Sequence, residues 1–194
     1  ADPAGDPGWD PWWRASVGLR VGLFWGMTRE IAGDYVLGTG AEELERLGLQ
    51  HRIWRSVVLD CWQRAGIKGG SRVVDVGSGP GYATIDLAEI VGPSGQVVGV
   101  ERSPNFNKTA RDACQIRGLT QVAIHELDLM TDAIPAANFD AAWCRWVALF
   151  VPSPETLVAR IAETLRPGGV VIFHDYVDYD TFQFLPASKM MEEF

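Results

Sequence analysis

Residues 72–85 read RVVDVGSGPGYATI: a nearly continuous apolar run, then glycine at alternate positions 77, 79 and 81, then the start of a second apolar stretch. A short run rich in β-branched residues fits a strand buried on both faces, and the stretch after it carries helical spacing. Gly77, Gly79 and Gly81 fill the turn between them. Glycine reaches positive φ without a Cβ penalty and lets other atoms lie against bare backbone, so this turn suits a sharp reversal and a close approach. A helix starting at Gly81 would also offer its positive N-terminal end to whatever lies there.

The same alternation continues outward from the turn. Strands are expected at 72–76, 96–101, 121–126, 139–144 and 169–174, with helices at 81–91, 104–117 and 154–165. A longer helix precedes them from Ala41, with Leu44, Leu47, Trp54, Val58, Cys61 and Ala65 at three- and four-residue steps, until Gly66, Gly69 and Gly70 stop it. Strand, helix, strand repetition demands crossover connections, hence a mainly parallel sheet with helices on both faces: a doubly wound α/β fold.

A length of 194 residues supports one sizeable core, and 47% hydrophobic with 22% charged residues belongs to an ordinary globular chain. The net charge of -8 supplies no positive field for nucleic acid or an anionic membrane, so neither is an expected partner. Cys61, Cys114 and Cys144 lie in apolar segments and are odd in number, which fits buried thiols in a reducing, cytoplasmic setting better than a disulfide frame. No metal-type Cys/His spacing is present. Residues 1–40, rich in Gly, Pro and Trp, show no sustained period; they read as an arm docked on the core or as a lid over a ligand. Residues 41–194 form the expected binding domain.

In doubly wound sheets, ligands lie beyond the carboxyl ends of the strands, near the point where strand order reverses. The glycine turn opens there. Its spacing is G-x-G-x-G, whereas a dinucleotide loop calls for G-x-G-x-x-G, and Tyr82 occupies the place where a small residue would let helix and strand close up. A nucleoside triphosphate loop would need Gly-Lys followed by Ser or Thr. Glu101 closes the second strand, where a carboxylate can accept both hydroxyls of a ribose, and Asp128 follows the third, where it can accept an exocyclic amine while the Leu129 N–H donates to a ring nitrogen. Together these three features favour a nucleoside ligand over a pyrophosphate.

The segments VVDVGSGPG, GVERS, ELDL, FDAAWCRWVALFV and LRPGGVVIFHDY, in that order, resemble the successive motifs of the class I S-adenosylmethionine-dependent methyltransferases. YVLG at 35–38 with EELERLGLQH at 42–51 is similar to the entry segment of a bacterial small-molecule branch. The resemblance implies a Rossmann-like methyltransferase fold, S-adenosylmethionine as methyl donor with S-adenosylhomocysteine as product, and a small-molecule acceptor. It further implies that Asp75 and the turn Gly77, Ser78, Gly79, Gly81 hold the methionine end, Glu101 the ribose, Arg102 the adenine face, and Asp128 with Leu129 the adenine edge. Tyr35 and Gln50 would contact the cofactor from above, and the backbone at Cys144 would face its amino group.

Transfer from a sulfonium is an in-line displacement that needs chiefly alignment, with a base only where the acceptor must lose a proton. After the fourth strand the chain reads Trp143, Cys144, Arg145, Trp146, without a base or metal-binding aspartate, and Asp140 lies at the opposite end of that strand. Arg145 is either an anion clamp or part of a structural ion pair. His174, with Asp175 to orient it, is either a base or a loop-bonded imidazole. His51 shares the apolar stripe of the first helix, where a satisfied core or interface histidine is the default, and His125 within a strand carries little weight.

The class I fold normally adds two strands after the fifth, and the tail here is too short for them. VVIF at 170–173 would then be an exposed apolar edge. Either the chain is a shortened form of a longer enzyme, or a second chain, a copy or a different one, completes the sheet. Beside methyl transfer stand two other readings: a cofactor-binding but catalytically incomplete module, and a nicotinamide-dependent oxidoreductase, which the glycine spacing disfavours.

Overall fold

The structure is a computed structural model that describes residues 38–135 and 137–176. The proposed arm, except for its last three residues, Tyr35 and the tail after Tyr176 lie outside the described residues. Helix α1 (Ala41–Arg64) leads into β1 (Arg72–Val76), α2 (Tyr82–Val91), β2 (Gln96–Glu101), α3 (Pro104–Ile116), β3 (Val122–Glu126), β4 (Phe139–Arg145), a 3-10 turn (Ala148–Phe150), α4 (Pro154–Thr164) and β5 (Leu165–His174). The five strands are all parallel, in the order β3-β2-β1-β4-β5. Order reverses at β1, so the crevice between β1 and β4 opens at the tip of β1, beside the glycine turn.

Each boundary has a local cause. Ser103 caps α3 by accepting from the Phe106 N–H, Ser153 caps α4 by accepting from the Thr156 N–H, and each is followed by a proline that needs no N–H partner. The central strands β1, β2 and β4 are buried on both faces because helices cover both. On one side Val73, Val97, Ala141 and Trp143 pack with Val58 and Trp62 of α1 and Leu87 and Val91 of α2. On the other, Val74, Val98, Ala142 and Cys144 meet Leu157 and Ile161 of α4. Complete removal of side chains of this size from water contributes about 1.5–3 kcal/mol each, which makes these two layers the main source of the fold's stability.

The fifth strand departs from expectation. It begins at Leu165 and not at residue 169, directly after α4. Leu165 already pairs with Phe139; the next pair is Val170 with Ala141, and the register shift between them takes up Arg166–Gly169, with Gly168 at φ +78°. What reads as a turn is a bulge within a strand. Strand β5 forms one edge of the sheet, with Val170 and Phe173 exposed.

Candidate active site

The tips of β1, β2 and β4 surround a cavity of about 380 Å³. Its floor is the turn after β1. The N–H groups of Gly77 and Ser78 both donate to the Val100 carbonyl, at 2.9 and 3.0 Å, and tie the turn to β2. All three glycines have positive φ: +67° at Gly77, +55° at Gly79 and +87° at Gly81. Their surroundings differ. A Cβ on Gly77 would stand 2.3 Å from Cγ2 of Val147, and one on Gly81 would stand 2.7 Å from the Ala110 Cβ, so these two serve packing within the protein. A Cβ on Gly79 would meet no atom within 4 Å, and Gly79 lines the cavity. Of the three turn glycines, Gly79 alone has open space where a side chain would stand.

Glu101 stands across from that space. Its Oε2 accepts from the Gly79 N–H at 3.0 Å and its Oε1 from the Ser103 N–H at 2.8 Å. Burial raises its pKa, with the amides of Ser103 and Gly79 pulling the other way. The Arg102 backbone also bonds this carboxylate. Asp75, at the level of Gly99 and Trp143 in the sheet, is buried and accepts from the Thr84 hydroxyl at 2.6 Å. Burial pushes its pKa up to about 6, opposed by the Thr84 bond and by the positive charge of Arg145. Asp128 is braced from its own loop, with its Oδ1 accepting from the Met130 N–H at 2.7 Å. Arg102, Ser78, Leu129 and Arg145 complete the polar and loop part of the lining.

Several expected positions lie elsewhere. Gln50 is not on the cavity wall; its side chain accepts from Arg46 on the exposed side of α1, at 3.3 Å, and Leu47, one turn earlier, lines the cavity instead. Gly81 is enclosed by Ala110 and does not line the cavity. Cys144 is fully buried between Val76 and Phe173, and its neighbours Trp143 and Arg145 form the wall. His174 and Asp175 also stand away from it. The His174 ring packs among Trp54, Trp143 and Trp146 at centroid distances of 5.2, 5.7 and 5.5 Å, and burial followed by the nearby Arg145 charge lowers its pKa. Asp175 does not orient it: its Oδ1 accepts from the Tyr176 N–H, while Oδ2 and His174 Nδ1 are both without a hydrogen-bond partner.

Other lining residues were not anticipated: Tyr82, Phe106, Trp146, Val147 and Phe150 among them. Tyr82, read as an obstacle to close packing, donates from its hydroxyl to the Leu44 carbonyl at 2.9 Å and fastens α1 to α2 at the rim. Trp146 has φ +55°, a strained value for an aromatic residue, and this turns the chain back over the glycine turn. The only signal for it in the sequence was the apolar run WVALFV after a strand.

The family model described as "Methyltransferase domain" matches residues 74–173, slightly more than half of the chain. The chain belongs to this methyltransferase family. Aklanonic acid methyltransferase DauC of Streptomyces sp. strain C5 is 35% identical over 118 residues, covering 60% of this chain and 54% of its own length. A SAM dependent methyltransferase from Aquifex aeolicus shares the fold, with a TM-score of 0.58 at 20% identity over 67% of this chain and 69% of that one. The [4+2]-cyclase SpnF is similar too, with a TM-score of 0.54 at 29% identity over 60% of this chain and 42% of that one. The chain spans about half the length of the curated relatives it matches. Among the described residues no helix is long and apolar enough to cross a membrane.

Proposed function

We propose that this methyltransferase domain binds S-adenosylmethionine in the cavity beside Gly79 and directs its methyl group to a small-molecule acceptor. The observation that carries the reading is the open space over Gly79 bounded by the Glu101 carboxylate, with the Gly79 N–H bonded to Oε2 at 3.0 Å. A carboxylate in that position suits a ribose diol and repels a phosphate. The donor set fits the rest of the cofactor. Asp75 would take a cationic amine, Asp128 and Leu129 an adenine edge and Arg102 the ring face, a reading supported by the presence of all four on the lining. Ser78 is on the same lining, while its hydroxyl is buried toward Gly99 without a hydrogen-bond partner.

When bound, S-adenosylmethionine supplies a methyl group already activated on a sulfonium. The chain's part is to hold, align and keep dry. The turn and Glu101 fix the nucleoside, while Trp146, Val147 and Phe150 shield the space from water and restrict the direction from which an acceptor approaches. Among the described residues no histidine lines the cavity. The relative named for aklanonic acid supports a small organic acceptor.

Calorimetric titration with S-adenosylhomocysteine and, separately, NADH tests the reading. Saturable one-to-one binding of the first and none of the second is expected; preference for NADH would replace methyl transfer with hydride transfer. Binding without turnover in a mass-shift screen of metabolites would instead leave the chain as a cofactor-binding module.

A further inference from the structure

Arg145 ends β4 on the cavity wall, and its guanidinium is held in an unusual way. Among the described residues no carboxylate pairs with it. Its Nη2 lies 3.2 Å from Nδ1 of His51, on the buried side of α1. An arginine only donates, so Nδ1 must be the acceptor and the ring proton must sit on Nε2. Nε2 in turn lies 3.1 Å from Oδ2 of Asp86 on α2. Asp86 also takes Nε of Arg55 at 2.7 Å and Nη2 of Arg55, on its other oxygen, at 3.3 Å. One chain of contacts thus runs from Arg55 through Asp86 and His51 to Arg145.

This arrangement decides between the two roles left open for Arg145. A structural ion pair would place a carboxylate against the guanidinium and use its donors. Here an imidazole nitrogen takes one donor, and the carboxylate behind it is shared with a second arginine. Nη1 of Arg145 is buried with no hydrogen-bond partner. The guanidinium is stacked on Trp146, 4.9 Å from the ring centroid, which fixes its plane without using any N–H. Arg145 lines the cavity as a buried cation held from behind by His51 and from one face by Trp146, with the charge of Asp75 near it and one N–H unused, and such a cation is complementary to a carboxylate.

We infer that Arg145 is the carboxylate-binding residue of this cavity and that His51 and Asp86 are positioning residues that hold its guanidinium in place. The inference rests on the adenosyl reading of the cavity and extends it. The carboxylate has two sources: the amino-acid end of the methyl donor, or an acidic acceptor.

Four proteins separate the cases: the wild-type chain, Arg145→Gln, His51→Phe and His51→Asn. Each is titrated calorimetrically with S-adenosylhomocysteine and with 5′-methylthioadenosine, which keeps the nucleoside thioether and lacks the amino acid. Each is then titrated with benzoate and its neutral counterpart benzamide, with and without saturating S-adenosylhomocysteine. A charge-assisted bond predicts that Arg145→Gln weakens the carboxylate ligand by about 10- to 100-fold and leaves its neutral partner within about twofold. A loss confined to S-adenosylhomocysteine assigns the methyl donor; a loss confined to benzoate assigns the acceptor. His51→Phe should lower the same affinity in the same direction. His51→Asn, whose amide oxygen can stand where Nδ1 stood, should recover most of it, and near-wild-type melting of the asparagine variant keeps the comparison independent of folding. The proposal is overturned if Arg145→Gln binds all probes as the wild type does, or if His51→Asn is as impaired as His51→Phe. A wild-type chain that binds neither nucleoside sinks the adenosyl reading separately, and benzoate binding without dependence on Arg145 then sinks this one as well.

Discussion

The Gly79 N–H and the Glu101 Oε2 are 3.0 Å apart, which joins the turn after β1 to the tip of β2 as one hydrogen-bonded unit. The wall that would meet a ribose and the floor beneath it therefore move together. Glu101→Gln offers one acceptor oxygen to the two N–H groups that now share a carboxylate. The affinities for S-adenosylhomocysteine and for 5′-methylthioadenosine should both fall, by about 10- to 100-fold, since both carry the ribose. Parallel titrations check this; unchanged affinity for both would remove Glu101 from the site.

The three turn glycines should respond differently to alanine. Gly79→Ala places a methyl group where no protein atom lies within 4 Å, so its folding cost is the left-handed backbone, about 1–2 kcal/mol. Ligand binding should nevertheless be lost. Gly77→Ala adds a clash at 2.3 Å with Val147 to the same backbone strain and should lower the urea midpoint by clearly more. Equal destabilisation of the two variants would contradict the geometry.

Asp75 has a pKa raised to about 6 by burial, so the folded state holds its proton more tightly than the unfolded chain does. Ionisation thus costs stability fully above pH 6, and that cost disappears as pH falls below the unfolded carboxyl value near 4. Asp75→Asn, which still offers an oxygen to the Thr84 hydroxyl, should stabilise the protein by about 2–3 kcal/mol at pH 7.5 and by far less at pH 4. Urea melts at the two pH values measure the difference. A variant less stable than wild type at pH 7.5 would show that Asp75 is held ionised at low cost.

His174 is enclosed by three tryptophan rings and does not line the cavity. His174→Phe should bind S-adenosylhomocysteine within about twofold of wild type, as expected for a side chain outside the ligand's reach. A tenfold loss in calorimetry would return His174 to the site.

Much of the fold was legible because its signals are local. VVDV and VVGV are continuous apolar runs since helices cover both faces of their strands, and Ser103-Pro104 and Ser153-Pro154 mark helix starts by chemistry confined to a few residues. The start of β5 was missed because RPGG has the composition of a turn, while pairing with Phe139 across the sheet overrides it. The site divides along the same line. Glu101 and Asp128 stood out as candidates because they lie at or just past strand ends, and Asp75 through the family resemblance; all three line the cavity. Which glycine faces the ligand depends on Val147 and Ala110, far away in the chain, and the environment of His51 depends on Asp86 and Arg145, 35 and 94 residues away. No periodicity carries such information.

The strand order β3-β2-β1-β4-β5 has a consequence for biogenesis. Of the described strands, the first to leave the ribosome becomes the centre of the sheet. It gains a neighbour on one side when β2 emerges, but its other side stays bare until β4, some forty residues further on, has been made. A nascent chain halted anywhere in that interval would present a half-finished wing, with an open row of amides and carbonyls beside Val73 and Val74, as a template for a second nascent chain.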